Sequence, residues 1–585
     1  MNKKDANLYH YFRKYTLVLT IVLIGSTSTV LASDSKDFSF LNAILLLILD
    51  GSSNDVETDE EAVHFLMSAT FGPTNDSVDE LKSLGYSSWF QRQTNLSINS
   101  LQAETNRRQL NDIFSEEYDA CLLDERFSRE AWFDFAITGE DQLRQRVAFA
   151  LSQLFVVATH ENNIKCKTLM QGHYMDVLQE GAFGNFRDLL EDITYHTFMA
   201  MWLTYINNEK ANPDTGSAPD ENYAREIMQL FTIGLVDLNM DGSPKLDSEG
   251  NMIESYTQDD VTELAKVFTG LHRAGEGFGG TSGFDNRLSD ITRLQMDNRY
   301  HSSGTKTVLG VTIPSYSDGN LSISDALDIL AEHPNTAPFI AKHLIQRLTT
   351  SNPSPTYIYA VANAFKSGVY KLPNGNVIGS RKNGDLEAAV AAVLFTPEAR
   401  SDKRFMDITY GKVREPILRF THWARVSGVN NFTLPWFSLD SSRLGKLGQD
   451  LPLRARSVFN FFRPGYVDTG SETANANLVA PELQIEFGPN TIKYANAMRA
   501  FSIRPPGEIG YYPDYNKFGL IDIASSSDDI IDYYNLIYTG NRLHPETIQA
   551  MHDTLDQVPA STNNVLRLQV ATILITNTIE YKTQK

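Results

Sequence analysis

The chain has 585 residues, of which 42% are apolar, 11% aromatic and 21% charged, a globular composition that excludes a disordered protein and is long enough for more than one ordinary core. Its formal net charge of -21 argues against a nucleic-acid or anionic-membrane surface, because binding phosphate groups needs a Lys/Arg footprint. Two isolated cysteines, Cys121 and Cys166, exclude a disulfide scaffold and any CxxC metal or redox motif but permit one bridge.

Lys3, Lys4, Arg13 and Lys14 precede the apolar run Tyr15 to Ile24 and the small-residue ending Val30-Leu31-Ala32. This pattern predicts a secretory signal over residues 1–32, an exported mature chain beginning near Ser33, and a place in the periplasm, at the cell surface or outside the cell. The run is shorter than the ~20 residues of a spanning helix, so no stable transmembrane span is expected after cleavage; an uncleaved anchor is the alternative. Phe38 to Leu49 is also too short to span, and with the acidic linker Asp50 to Glu61 it makes up residues 33–60.

From Glu61 onward helical periodicity dominates. Glu61 to Thr70, Val78 to Gln91, Trp132 to Thr138 and Asp141 to Thr159 read as helices, and in the last the apolar faces almost close around the axis, which predicts a core helix. Arg144, Arg146 and Gln153 then lie on a buried helix and need partners. Tyr174 to Glu180, Phe186 to His196 and Phe198 to Asn207 continue the series. Pro219 to Leu235 predicts a further helix with Asp220 as N-cap and Gly234 as stop. The turn-rich stretch from Asp237 to Ile253 fits a β-hairpin, and Thr257 with Asp260 forms a capping box opening a helix to about Leu271. The glycine-rich and polar region 274–319 divides an N-terminal helical lobe, 61–273, from a C-terminal one, 320–585. In the second lobe Ser324 is expected to cap Asp325 to Glu332, followed by helices over Thr336 to Thr349, Ser354 to Lys366, Asp385 to Phe395 and Arg414 to Val426; the loop Asn430 to Leu453 and the segment Ser457 to Tyr466 then lead to Leu483 to Phe501. The fold expected is mainly α: multi-helical, two packed lobes of stacked αα-hairpins with a small β-hairpin insertion.

The sequence contains no HExxH, GxSxG, P-loop or Cys/His ligand cluster, and no cofactor is expected. Gly275, Gly277 and Gly280 match GxGxxG but open no helix, so they read as a loop. Asp237, Asn239 and Asp241 match the first half of a calcium loop, but its twelfth position is Ser248 rather than Glu; a hairpin turn with positive φ at Gly242 is the better reading. On the Pro219 helix, Glu221 and Arg225 are four residues apart, as are Asn222 and Glu226, so each pair can meet. Glu221 and Glu226 lie roughly 140° apart around the axis and cannot be paired glycosidase carboxylates. His196, His301, His333 and His422 read singly as hydrogen-bonded structural histidines, and the aromatic run Phe459 to Tyr466 reads as core rather than as a sugar platform.

Leu143-Arg-Gln-Arg-Val-Ala-Phe-Ala-Leu-Ser-Gln153, Gly184 to Leu190, Pro219 to Glu226 with Gly234, Tyr256 to Val261, His333-Pro-Asn-Thr336, Arg414-Glu-Pro416, Ser457 to Pro464 and Leu478-Val-Ala-Pro-Glu482 together resemble the bacterial family catalogued as domain of unknown function eighteen-hundred. The resemblance implies an exported, largely α-helical protein, with a secreted sulfatase-like protein as its partner. Ser68 and Ser302 stand where that family commonly carries Arg and Asp. Weighed against this background, the polar stripe predicts a cleft at the N-terminus of the Pro219 helix, with Glu221 as acid or base, Arg225 and Lys210 holding an anionic group, His301 shuttling a proton, and Asn207, Asn222 and Glu226 contributing binding contacts. The expectation leans to a binding or assembly factor of the cell envelope; the alternative is a hydrolase or lyase on a polymer or anionic ester.

Overall fold

Thr58 fixes the start of the first helix, α1 (Asp59–Ala69), by accepting from the Glu61 N–H, while Asp59, Glu60 and Glu61 complement its dipole. The computed structural model describes residues 53–111, 120–159, 168–279, 287–429, 445–503, 512–560 and 564–585. The signal segment, the apolar segment and the Cys121–Cys166 pairing fall outside what is described. The helix expected over Val78 to Gln91 is two helices, Asn75–Leu84 and Tyr86–Asn95. Gly85 separates them at φ 71°, where a Cβ would meet Asn54, and a residue in that conformation cannot continue a right-handed helix.

The core helix is α2 (Gln142–Ser152), in which every residue is buried. Among its polar side chains, Arg144 donates to the carbonyls of Gln179, Thr94 and Leu96 at 2.8–3.2 Å, closing helix ends that would otherwise carry unsatisfied carbonyls. Helices α3 (Thr168–Gly181) and α4 (Phe186–Thr194) follow, α3 packing on α2.

The Pro219 segment departs from a plain α-helix. Asp220 caps as expected, its Oδ1 accepting from the Asn222 N–H at 2.8 Å, but α5 (Asn222–Glu226) is short and opens into a π-turn over Ile227–Thr232. The Thr232 hydroxyl donates to the Ile227 carbonyl at 2.6 Å, and both Ile233 and Gly234 N–H groups donate to Met228 O at 3.0 Å. The hydroxyl occupies a carbonyl five residues back and widens the turn; Gly234, at φ 74°, stops it.

The hairpin expectation resolves into three short extended runs held by a closed ring of backbone bonds. Asp237 N–H donates to Ile253 O (2.8 Å), Ile253 N–H to Lys245 O (3.1 Å) and Lys245 N–H to Asp237 O (2.7 Å). Thr257 and Asp260 form the expected capping box of α6 (Gln258–Val267). Beyond it β1 (Lys306–Val308) pairs with β2 (Val311–Ile313). Helix α7 (Gly319–Glu332) starts one and a half turns before the expected Ser324, because Asp318 caps it through the Asn320 N–H; Ser324 Oγ instead accepts from Arg187.

Helices α8 (Thr336–Leu348), α9 (Pro355–Ser367) and α10 (Leu386–Phe395) pack on one another. Ser354 caps α9 and Asp385 caps α10. Strand β3 (Lys412–Val413) leads into α11 (Pro416–Val426) and pairs with the C-terminal β4 (Thr583–Gln584). Ser457 to Tyr466 forms turns, with Asn460 at φ 61°. Helix α12 (Gly488–Ser502) and the last helices complete the chain. Gln584 Nε2 donates to Ser68 Oγ (2.9 Å) and Leu348 O (2.8 Å), stitching the C-terminus to α1 and α8. The protein is mainly α, its only sheets being two-stranded among the described residues, and Ser53–Lys585 forms one compact unit.

Candidate functional site

The residues expected to line one cleft separate into two groups at opposite ends of α6. Near its start, Glu221 Oε2 accepts from Arg225 (3.1 Å) and Gln258 (2.8 Å), and Oε1 accepts from Thr262 (2.9 Å). Both partners of the Glu221–Arg225 pair are over a third exposed. Asn222 is exposed, while Glu226 is buried with Oε2 unpartnered, and burial raises its pKa. Just past the other end lies His301. Its Nδ1 is 2.9 Å from the Thr269 carbonyl, some 10 Å along the axis from Thr262 at ~1.5 Å per residue. Asn207 and Lys210 belong with this second group: their N–H groups donate to Leu271 O and Tyr300 O at 2.8 Å. Asn207 Oδ1 also accepts from the Gly279 N–H, which anchors the glycine loop.

Because a carbonyl only accepts, His301 carries its proton on Nδ1 and presents Nε2 as an acceptor to Ser322 Oγ, 3.4 Å away. Lys306 Nζ donates to the same Ser322 oxygen at 3.3 Å and to Gly304 O at 3.0 Å. All three side chains are buried. Burial, with the Lys306 cation behind it, lowers the His301 pKa, and burial brings Lys306 down to about 8. This is a closed hydrogen-bond chain inside the fold.

Asp237, Asn239 and Asp241 do not converge. Asp237 faces Lys245 at 3.6 Å, and Asn239 and Asp241 both hold Ser243, while Gly242 supplies the positive φ of the turn. No group of three or more His, Cys, Asp or Glu side chains among the described residues is arranged to hold a metal.

The densest charged constellation lies where four segments meet in the interior: Leu143–Gln153, Arg414–Pro416, Ser457–Pro464 and Leu478–Glu482. Glu415, fully buried, accepts from Gln153 Nε2 at 3.1 and 3.3 Å and from Gln449 Nε2 at 2.6 Å. Lys412 Nζ pairs with Glu482 Oε1 at 3.1 Å and donates to the carbonyls of Gln346 (2.8 Å) and Arg347 (3.2 Å) in the last turn of α8. Arg146 Nη2 donates to Arg347 O at 2.6 Å, and the Arg347 guanidinium lies over the Phe462 ring at 4.7 Å. Beside them Arg419 pairs with Glu486, and Arg414 donates to His422 Nδ1 at 3.0 Å. Burial lowers the pKa of Arg146 and of Arg419 to about 10. Sequence reading flags Arg146 and Gln153 as polar groups on a buried helix. Arg347, Lys412, Gln449 and Glu482 escaped it, because their partners are remote in the chain; the available signal was a single charge set between apolar neighbours.

An open groove of about 580 Å³ lies elsewhere, lined by Glu191, Tyr195, His272, Arg293, Gln295 and Asn320 among others. Arg293 lies flat over Tyr195 at 3.8 Å and pairs with Glu191, and Tyr195 donates to Asn320 Oδ1 at 2.8 Å. None of the sequence-predicted site residues lines it.

No helix among the described residues is long and apolar enough to cross a membrane. Comparison with curated proteins finds no match, and comparison with solved structures finds none either. The family described as "Protein of unknown function (DUF1800)" matches residues 64–582, a span that includes every helix from α2 to α12 and all four segments of the buried charged layer. The chain belongs to that family.

Proposed function

We propose that this protein is an exported binding or assembly factor of the bacterial cell envelope that works with a secreted partner, a sulfatase-like protein being the candidate suggested by the family resemblance. The observation that carries this reading is the three-run arm over residues 235–255. It exposes four large apolar side chains, Leu235 (59%), Leu246 (55%), Met252 (62%) and Ile253 (38%), of which Leu246 and Met252 are bridge partners on adjacent runs, and paired exposed apolar side chains are a feature of interaction sites. The arm is held as a fixed platform. Asn335 Oδ1 accepts from the Leu238 N–H (2.9 Å), and its Nδ2 donates to Ile233 O (3.0 Å) and Val236 O (2.9 Å). A preorganised apolar surface binds with less loss of conformational entropy than a mobile one.

The alternative of a hydrolase or lyase built on Glu221, Arg225 and His301 needs those groups around one substrate, and they lie at opposite ends of α6. Recovery of partners from the native envelope on the wild type, on Leu246→Ser with Met252→Ser, and on Glu221→Ala with Arg225→Ala separates the readings. The partner is expected on the wild type and the Glu221/Arg225 variant and to be lost from the arm variant. Loss confined to the Glu221/Arg225 variant favours the cleft, and equal recovery on all three overturns the arm.

A further inference from the structure

The buried charged layer carries more positive charge than its own side chains neutralise. Among the described residues, Arg146, Arg347, Lys412, Arg414 and Arg419 face three carboxylates, Glu415, Glu482 and Glu486, with all eight side chains buried or nearly so, although the chain as a whole has a formal net charge of -21. Arg146, Arg347 and Lys412 share the field of two carboxylates, Glu415 and Glu482, which leaves one positive charge in excess there. Lys412 donates to two carbonyls and is ion-paired with Glu482. The oxygens of Glu415 are taken by the amides of Gln153 and Gln449, so this carboxylate does not bond to either guanidinium. Arg146 uses Nη2 on the Arg347 carbonyl, while its Nε and Nη1, fully buried, have no acceptor, nor does Arg347 Nε.

A guanidinium with unfilled N–H groups in a dry interior is costly twice over, in lost hydrogen bonds and in uncompensated charge. A water molecule would answer only the first deficit. An anion answers both, since it accepts from several N–H donors and cancels the charge. We infer that Arg146 and Arg347 together hold a small inorganic anion of the halide class in the interior between α2 and α8. The site is closed by residues that leave little or no exposure, Phe462 at 2% among them, which selects a compact monatomic ion over an organic acid. The bound ion would tie α2 to α8 at the level where Lys412 already closes the last turn of α8.

Because the ion binds the folded state alone, its occupancy is read as stability that grows with the logarithm of its concentration. The test is the thermal midpoint of the full-length protein titrated with sodium chloride and sodium bromide, with sodium gluconate holding ionic strength constant. The wild-type midpoint is expected to rise steadily with the logarithm of either halide, and Arg347→Met to show no such rise. A wild-type midpoint independent of halide, or an equal slope in Arg347→Met, overturns the inference. Should that variant fail to fold, bromide-soaked crystals of the wild type decide by anomalous scattering. A bromide peak against Arg146 Nη1 supports the site, and its absence overturns it.

Discussion

Replacing Lys412 by Met removes one partner of the most deeply buried ion pair and leaves the other. Lys412 and Glu482 have 0% and 1% of their side-chain surface exposed, so solvent cannot take over the lost interaction. Breaking such a pair costs about 3–5 kcal/mol, most of it from the stranded carboxylate. Lys412 also satisfies the Gln346 and Arg347 carbonyls at the end of α8, while the longer apolar contacts of Met recover part of the packing. The expected loss for Lys412→Met is therefore about 4 kcal/mol. Glu482→Gln, which strands the ammonium, should cost a comparable amount. The double variant should cost less than the two together, by about 2 kcal/mol, because neither charge is then left alone. Urea unfolding followed by circular dichroism measures all three. A loss below about 1 kcal/mol for Lys412→Met, or strict additivity in the double variant, would refute the view that this layer is a tightly coupled buried network.

Gly72 has φ 130°, and a Cβ there would collide with the buried His422 ring; Gly72→Ala should lower stability by about 3 kcal/mol in the same assay. His64 and His343 are held by burial at pKa values of about 3. An unfolded histidine titrates near 6.5, so the unfolded state binds more protons between pH ~6.5 and ~3, and stability is lost as pH falls through that window. Each contributes up to about 1.4 kcal/mol per pH unit there. His343 Nε2 donates to Ala150 O at 2.9 Å, and a urea series at pH 7, 6 and 5 on His343→Asn should show a slope smaller by about one proton than that of the wild type. Asn335→Ala removes two bonds to the arm and a third to Ile233 just before it; hydrogen exchange over residues 235–255 should accelerate at least about tenfold while exchange in α2 stays unchanged.

Local chemistry made much of this fold legible. Thr257 with Asp260, Ser354 with Pro355, Asp385 ahead of an apolar run and Asp220 with Gly234 mark helix ends in the sequence and do so in the structure. The closed apolar pattern of Leu143 to Phe155 identified the buried centre. What local pattern could not reveal was tertiary. The Thr232 hydroxyl turns a helix into a π-turn by taking a backbone acceptor, Asp318 outcompetes Ser324 as a cap, and Gly85 splits a continuous amphipathic stretch because Asn54 packs against it. The same limit governs the site. Glu221 and Arg225 meet as their spacing requires, but nothing in the spacing places His301 beyond the far end of α6. The pairing of Lys412 with Glu482 spans 70 positions of chain and has no local signature at all.

The proposed function stands or falls on the arm. The direct measurement is the equilibrium affinity of the purified secreted sulfatase-like protein for the wild type and for Leu246→Ser with Met252→Ser, by isothermal titration calorimetry. Two exposed apolar side chains buried at an interface contribute about 1.5–3 kcal/mol each, so the arm variant should bind at least about a hundredfold more weakly, with unchanged affinity in Glu221→Ala with Arg225→Ala. Undiminished affinity in the arm variant, or no binding by the wild type, would contradict it.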